Sequence, residues 1–141
     1  MIDTALFILL ALLGGGLGGV GRFWLSGVVA RRLGEAFPWA TLTVNASGAA
    51  LVGVLAALLL EPGGHTATMP PLWAGLVIGV LGSYTTVSSF SLQTLALARG
   101  GEPIRAALNV VASLVLCLGA AALGYFAVPG LWTVLALLGR G

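Results

Sequence analysis

Gly82-Ser83-Tyr84-Thr85-Thr86-Val87-Ser88-Ser89-Phe90-Ser91 interrupts an apolar stretch that runs from Pro71 to Ala98. Six Ser and Thr residues fall within these ten positions, with no Asp, Glu, Lys or Arg among them. Non-helical backbone at membrane depth is tolerated only where protein buries it or where it lines a wet cavity. The stretch is therefore the place where this chain is expected to meet a substrate.

The surrounding composition sets the class. Of 141 residues, 59% are hydrophobic and 7% are charged, with a mean hydropathy of +1.10. Soluble domains carry roughly 25% charged residues, so the chain reads as a single integral membrane domain spanning residues 1–141. The net charge of +2 comes from too few groups for nucleic-acid binding. Cys117 is the one cysteine and His65 the one histidine, which excludes a disulfide framework and a His/Cys metal centre. The N-terminal stretch has no basic flank or cleavage pattern, so it is expected to be a retained helix.

A transmembrane helix needs about 20 mostly apolar residues. Four segments meet that length, over about residues 4–29, 40–60, 71–98 and 103–127. Arg31-Arg32, Pro62-Gly63-Gly64, Arg99-Gly100-Gly101 and Pro129-Gly130 punctuate them in turn. The apolar tail at 131–138 is too short to span and is expected in the interface or against the bundle. Gly14/Gly18, Gly15/Gly19 and Gly75/Gly79 have the small-xxx-small spacing that lets helices approach in lipid. Four helices give little wall for a buried pathway, so an oligomer is expected.

With four spans, Asp3, Glu61 and Arg140 share one side. Arg31, Arg32, Arg99 and Arg105 share the other, with Glu35 and Glu102. The positive-inside rule places the Arg-rich first and third loops in the cytoplasm and both termini outside.

Arg22 is the one charge well inside a span, where insertion costs about 2.5–3.5 kcal/mol. A wet cavity that draws an anion is one explanation; snorkelling to the interface is the other. Thr41 and Asn45 share a helical face, as do Asn109 and Ser113. Interhelical hydrogen bonding and pore lining explain those pairs equally well. The Ser/Thr stretch permits local unwinding, and unwound carbonyls coordinate cations. Hydroxyl groups and the positive edge of an aromatic ring suit a small anion. There is no Ser/His/Asp set and no carboxylate pair, so the chain is not read as an enzyme.

Four motifs occur in order, one per span. They are Gly18-Gly19-Val20-Gly21-Arg22-Phe23, Pro38-Trp39-Ala40-Thr41-Leu42-Thr43-Val44-Asn45-Ala46-Ser47-Gly48, the stretch from Gly79 to Phe90, and Asn109 with Ser113. The second is similar to P-x-G-T-L-x-V-N-x-x-G. The third is similar to G-x-x-G-G-x-T-T-F-S-T-F, and the fourth to N-x-x-x-S. Together they resemble the Fluc/CrcB family of small fluoride channels over about residues 14–124.

The resemblance implies an all-α integral membrane fold of four transmembrane helices, the third broken near its middle. It implies an antiparallel dimer with two pores in the plasma (inner) membrane, exporting fluoride passively to lower its cytoplasmic concentration. Arg22 and Asn45 match vestibule and pore-entrance positions. Ser88, Ser89 and Ser113 match a polar track, with Asn109 in the same fourth-helix motif. Phe90 matches the second of two phenylalanines whose ring edges face fluoride. Gly82 and Thr85 match positions whose carbonyls hold a structural sodium ion at the dimer interface.

Three positions depart from the pattern. Val87 stands at the first phenylalanine, Gln93 at a usual glutamate and Ser83 at a glycine. In the family each pore takes its two rings from different subunits, so a homodimer of this chain keeps one ring per pore. An antiparallel homodimer also needs one sequence to insert both ways, whereas here one Arg faces four. Beside the homodimer stands a heterodimer with a homologous subunit of opposite orientation, whose first phenylalanine would leave one intact pore. A four-helix proton-coupled drug exporter would need an intramembrane carboxylate, and every acid here lies at a helix end or in a loop. A non-conducting assembly subunit would tolerate alanine at Asn45 and Ser88.

Overall fold

The computed structural model describes residues 4–59 and 73–138, and every described element is helical. Asp3, Glu61, Pro62, His65 and Arg140, which enter the sequence reading above, lie outside the described residues. α1 (Thr4–Leu33) and α2 (Trp39–Leu59) are followed by α3 (Ala74–Leu81), which is wound as a π-helix. A single α-turn, α4 (Gly82–Tyr84), continues it; α5 (Val87–Arg99) and α6 (Pro103–Leu138) complete the order. Four stretches are long and apolar enough to cross a membrane: Thr4–Leu33, Trp39–Leu59, Gly75–Arg99 and Pro103–Pro129.

Two boundaries differ from the sequence expectation. α1 runs to Leu33, so Arg31 and Arg32 form its last turn, where cations oppose the negative end of the helix dipole. The helical backbone of α6 continues through Pro129 to Leu138, so the tail at 131–138 extends the fourth helix instead of forming a separate segment. Gly34 and Gly101 take positive φ, 74° and 82°, and end α1 and α5 as left-handed caps. Gly34 N–H returns to Ala30 O at 2.9 Å, and Glu102 N–H to Leu97 O at 2.9 Å.

Packing rests on backbone proximity. α1 lies chiefly on α3, and α2 chiefly on α6. A Cβ at Gly14 would meet Gly75 O and Val80 N; one at Gly18 would meet Val80 O. On the other pair, a Cβ at Gly53 would strike Ala121 O, and one at Gly124 would strike Ala50 O. Close approach of this kind replaces the hydrophobic effect that lipid cannot supply. Among the described residues the buried apolar side chains are few: Leu42, Val44, Leu81 and Ala106. Phe23, Leu92, Leu118 and Phe126 lie exposed, as expected for groups facing acyl chains or a partner.

The two Arg-bearing loops lie at one end. Glu35, Ala36 and Pro38 share a cavity of about 460 Å³ with Gln93, Glu102 and Arg105. Arg105 sits in the first turn of α6 and pairs with Glu102 at 2.6 Å. Both side chains are about half exposed, so the pair contributes at most ~1 kcal/mol.

Candidate functional site

The third span bends at Thr85 and Thr86. Thr85 has φ −79° and ψ 161°, and Thr86 has φ −152° and ψ 123°, both extended. Two extended residues strip helical partners from several backbone groups, and buried backbone groups must find others. The replacements are specific. Thr85 N–H still reaches Leu81 O at 2.9 Å, and its hydroxyl donates to the same carbonyl at 2.9 Å.

At Thr86 the partner comes from α2. Thr86 N–H donates to Asn45 Oδ1 at 2.8 Å, and Asn45 Nδ2 donates to Thr86 O at 2.9 Å. The reciprocal pair settles which end of the amide is which, because a peptide N–H only donates and a carbonyl only accepts. It engages the acceptor of Asn45 and leaves one Nδ2–H without a partner among the described residues.

Thr86 Oγ1 caps α5 by accepting from Ser89 N–H at 3.2 Å. Its hydroxyl donates to Ser89 Oγ at 3.2 Å and lies 3.1 Å from Ser88 Oγ. With the one Thr86 proton committed to Ser89, Ser88 is the donor in the second contact. The Ser89 proton is then left over. The side-chain acceptors of Asn45 and Thr86 are thus engaged, and Asn45 and Ser89 each keep a donor with no partner among the described residues, an arrangement suited to an anion.

Tyr84 precedes the bend and ties it to α2 a second time. Its hydroxyl lies 2.8 Å from Ser47 Oγ, and Ser47 Oγ donates to Val44 O at 3.1 Å. Ser47 has one proton, so Tyr84 is the donor. One ring edge faces Gly48 of α2 and the other faces Gly21 of α1. Asn45, Ser47 and Gly48, three positions within one turn of α2, thus hold Tyr84, Thr85 and Thr86.

The remaining sequence-derived residues fall in several places. Phe90 is half-buried on α5, and its carbonyl accepts from Thr94 Oγ1 at 2.7 Å. Asn109, 1% exposed, donates to Thr94 Oγ1 at 2.8 Å. Asn109 thus joins α6 to α5 through Thr94. Ser113 is half-buried one turn further along α6. Arg22 is half-buried on α1, and no carboxylate among the described residues pairs with it. Val87 is 76% exposed and borders a cavity of about 400 Å³ with Asn45, Thr85, Thr86 and Cys117. Gln93 lines the cavity at the Arg-rich end, and its Oε1 is buried without a partner among the described residues.

Asn45, Ser88 and Ser89 are brought together, and Thr86 is the residue that joins them. Sequence reasoning counted Thr86 only as one hydroxyl among six. Its place as an N-cap three residues before Ser89 was available as a local signal. Thr94 and the Ser47–Tyr84 pair carried no signal beyond their polarity.

The model of the family described as CrcB-like protein, Camphor Resistance (CrcB), matches residues 9–125. The chain is 59% identical over 120 residues to a protein of Rhodopseudomonas palustris named fluoride-specific ion channel FluC 2, covering 85% of this chain and 91% of that one. It is 52% identical over 124 residues to a FluC 2 of Bradyrhizobium diazoefficiens, covering 88% and 90%. A FluC of Opitutus terrae is 51% identical over 127 residues, covering 90% and 95%. The motifs, the four spans and these likenesses agree, and the chain belongs to the CrcB-like family.

Proposed function

We propose that this chain is the subunit of a passive, fluoride-specific channel of the plasma membrane that lets fluoride leave the cytoplasm. The observation that carries the reading is the identity of 59% over 120 residues to a relative named for that activity. The bend supports it, because donors with no partner among the described residues suit an ion that accepts hydrogen bonds. Arg22 draws the anion, Asn45 and Ser89 donate to it, and Ser88 and Ser113 extend the polar track. Phe90 presents its ring edge, and Asn109 fixes the α5–α6 wall through Thr94. Passive flow needs no carboxylate to exchange protons, in keeping with Glu35 and Glu102 lying at the Arg-rich end.

The working unit in this reading is an antiparallel dimer with two pores, in which the bend at Thr85-Thr86 is the break of the third helix. A sodium ion at the dimer interface fits the donors present. Thr86 N–H, the α-helical donor to Gly82 O, is taken by Asn45. Ser89 N–H, the α-helical donor to Thr85 O, is taken by Thr86 Oγ1. The carbonyls of Gly82 and Thr85 thus lose their helical donors, and carbonyl oxygens suit a hard cation. Bound there, the cation would hold two protomers together through backbone oxygens.

Fluoride efflux from liposomes containing the purified chain, with chloride as control, tests the function. Rapid fluoride loss without chloride loss is expected; no fluoride loss beyond that of empty liposomes refutes a channel formed by this chain alone. The Arg asymmetry and Val87 support a second subunit choice, a homologous partner of opposite orientation. Relatives numbered FluC 2, FluC 3 and FluC 4 are in keeping with paired subunits. Full flux from the chain alone would refute the need for that partner.

A further inference from the structure

We infer that Asn45 is a positioning residue for the interface cation, because its amide keeps the carbonyl of Gly82 open. The inference rests on the sodium site proposed above. In a continuous α-helix Thr86 N–H would return to Gly82 O, four residues back. Here it donates to Asn45 Oδ1 at 2.8 Å instead. The second arm, from Asn45 Nδ2 to Thr86 O at 2.9 Å, fixes the following peptide as well, so both peptides of Thr86 are tied to α2.

The geometry leaves one residue with two effects. The acceptor of Asn45 is spent on Thr86, which leaves Gly82 O without that donor, and Gly82 is itself an exposed residue. The uncommitted Nδ2–H remains beside the 400 Å³ cavity shared with Thr85, Thr86 and Val87. Cation retention and anion passage are thereby linked through one amide. Without that acceptor, Thr86 N–H competes with the cation for Gly82 O.

The test is sodium-dependent thermal stability of the detergent-solubilised full chain, read as the sodium concentration giving half-maximal stabilisation. Asn45→Ala is expected to raise that midpoint about tenfold, the equivalent of ~1.4 kcal/mol. Asn45→Asp keeps an acceptor for Thr86 N–H and is expected not to raise it. A backbone ester at the Thr85–Thr86 bond removes the N–H altogether. The ester also weakens the Thr85 carbonyl, so the diagnostic is a double-mutant cycle: Asn45→Ala should add no further shift in the ester background.

An unchanged midpoint in Asn45→Ala overturns the inference while leaving the cation site standing. An equal rise in Asn45→Asp, or a full tenfold shift in the ester background, also overturns it. A wild-type chain with no sodium dependence overturns the cation reading itself, and this inference with it. Should Asn45→Ala fail to fold, Asn45→Leu, which keeps the side-chain volume without an acceptor, takes its place, with the same tenfold rise expected and an unchanged midpoint overturning the inference.

Discussion

Removing one oxygen at the bend tests how the third span is held. Thr86→Val keeps the β-branched shape and the backbone pairing with Asn45 but deletes Oγ1. That atom accepts from Ser89 N–H, donates to Ser89 Oγ and contacts Ser88 Oγ. Loss of an N-cap costs about 1 kcal/mol, and each hydroxyl contact inside a membrane protein about 0.6 kcal/mol. The sum is ~2 kcal/mol, roughly a 30-fold shift in the unfolding equilibrium. Unfolding in bicelles, followed by detergent titration, reads this difference, with Thr86→Ser as the control that retains the cap. Fluoride flux should fall in Thr86→Val, because Ser88 and Ser89 lose their shared partner and reorient. A Thr86→Val chain within about 0.5 kcal/mol of wild type, with unaltered flux, would refute the claim that Thr86 organises the bend.

Glycine substitutions on α1 should separate packing from filler. A Cβ at Gly18 strikes Val80 O, whereas one at Gly19 meets open space, so Gly18→Ala should cost about 1–3 kcal/mol and Gly19→Ala almost nothing in the same titration. Tyr84→Phe removes the hydrogen bond to Ser47 and should cost about 0.6 kcal/mol; the Ser47→Ala background should abolish that difference. Gln93→Met removes a buried acceptor that has no partner among the described residues, and such an atom costs about 1–3 kcal/mol. The variant should therefore be more stable than wild type, and a loss of stability would show that the amide is satisfied in the assembled protein.

The four spans were legible because lipid imposes a length and a polarity on each of them, independent of the partners they find. The position of the bend was legible for the same reason: six hydroxyl residues inside a greasy segment mark where the backbone seeks substitutes. The details of substitution were not legible. Asn45 and Thr86 are 41 positions apart, and helical spacing relates only residues one turn apart. The same limit separates Gly14/Gly18 from Gly15/Gly19. Both pairs have the spacing, but only the rotation of α1 against α3 decides that Gly14 and Gly18 are buried. Pro129 was read as a stop, yet the helix continues beyond it. A membrane helix tolerates proline where neighbouring groups satisfy the freed carbonyl, a condition that single-chain spacing does not reveal. Asn109 illustrates the opposite ambiguity. Its spacing left interhelical hydrogen bonding and pore lining equally open, the family motif grouped it with the pathway, and the fold gives its amide a structural partner in Thr94.

The bend achieves more than an interruption, because its two sides have opposite polarity. A helix ends with carbonyls lacking donors and begins with N–H groups lacking acceptors. The continuous winding of α3 and α4 ends at Tyr84, and α5 begins at Val87, so both kinds of terminus meet across two residues. On the first side, Asn45 and the Thr86 hydroxyl intercept the donors that Gly82 O and Thr85 O would have received. On the second side, the Thr86 cap consumes one of the early N–H groups of α5, and the positive end of that helix remains beside Ser88 and Ser89. A cation and an anion can thus be served within one short segment with no charged side chain in it. A carboxylate or lysine would provide a stronger local field, but it would also trap a counterion and carry the cost of burying charge in lipid. Partial charges on backbone and hydroxyl groups bind weakly enough to release an ion, which conduction requires. The same reasoning explains why Asn45 is an amide. An aspartate there would still accept from Thr86 N–H, but it would lose the donor to Thr86 O and place a full negative charge at the bend.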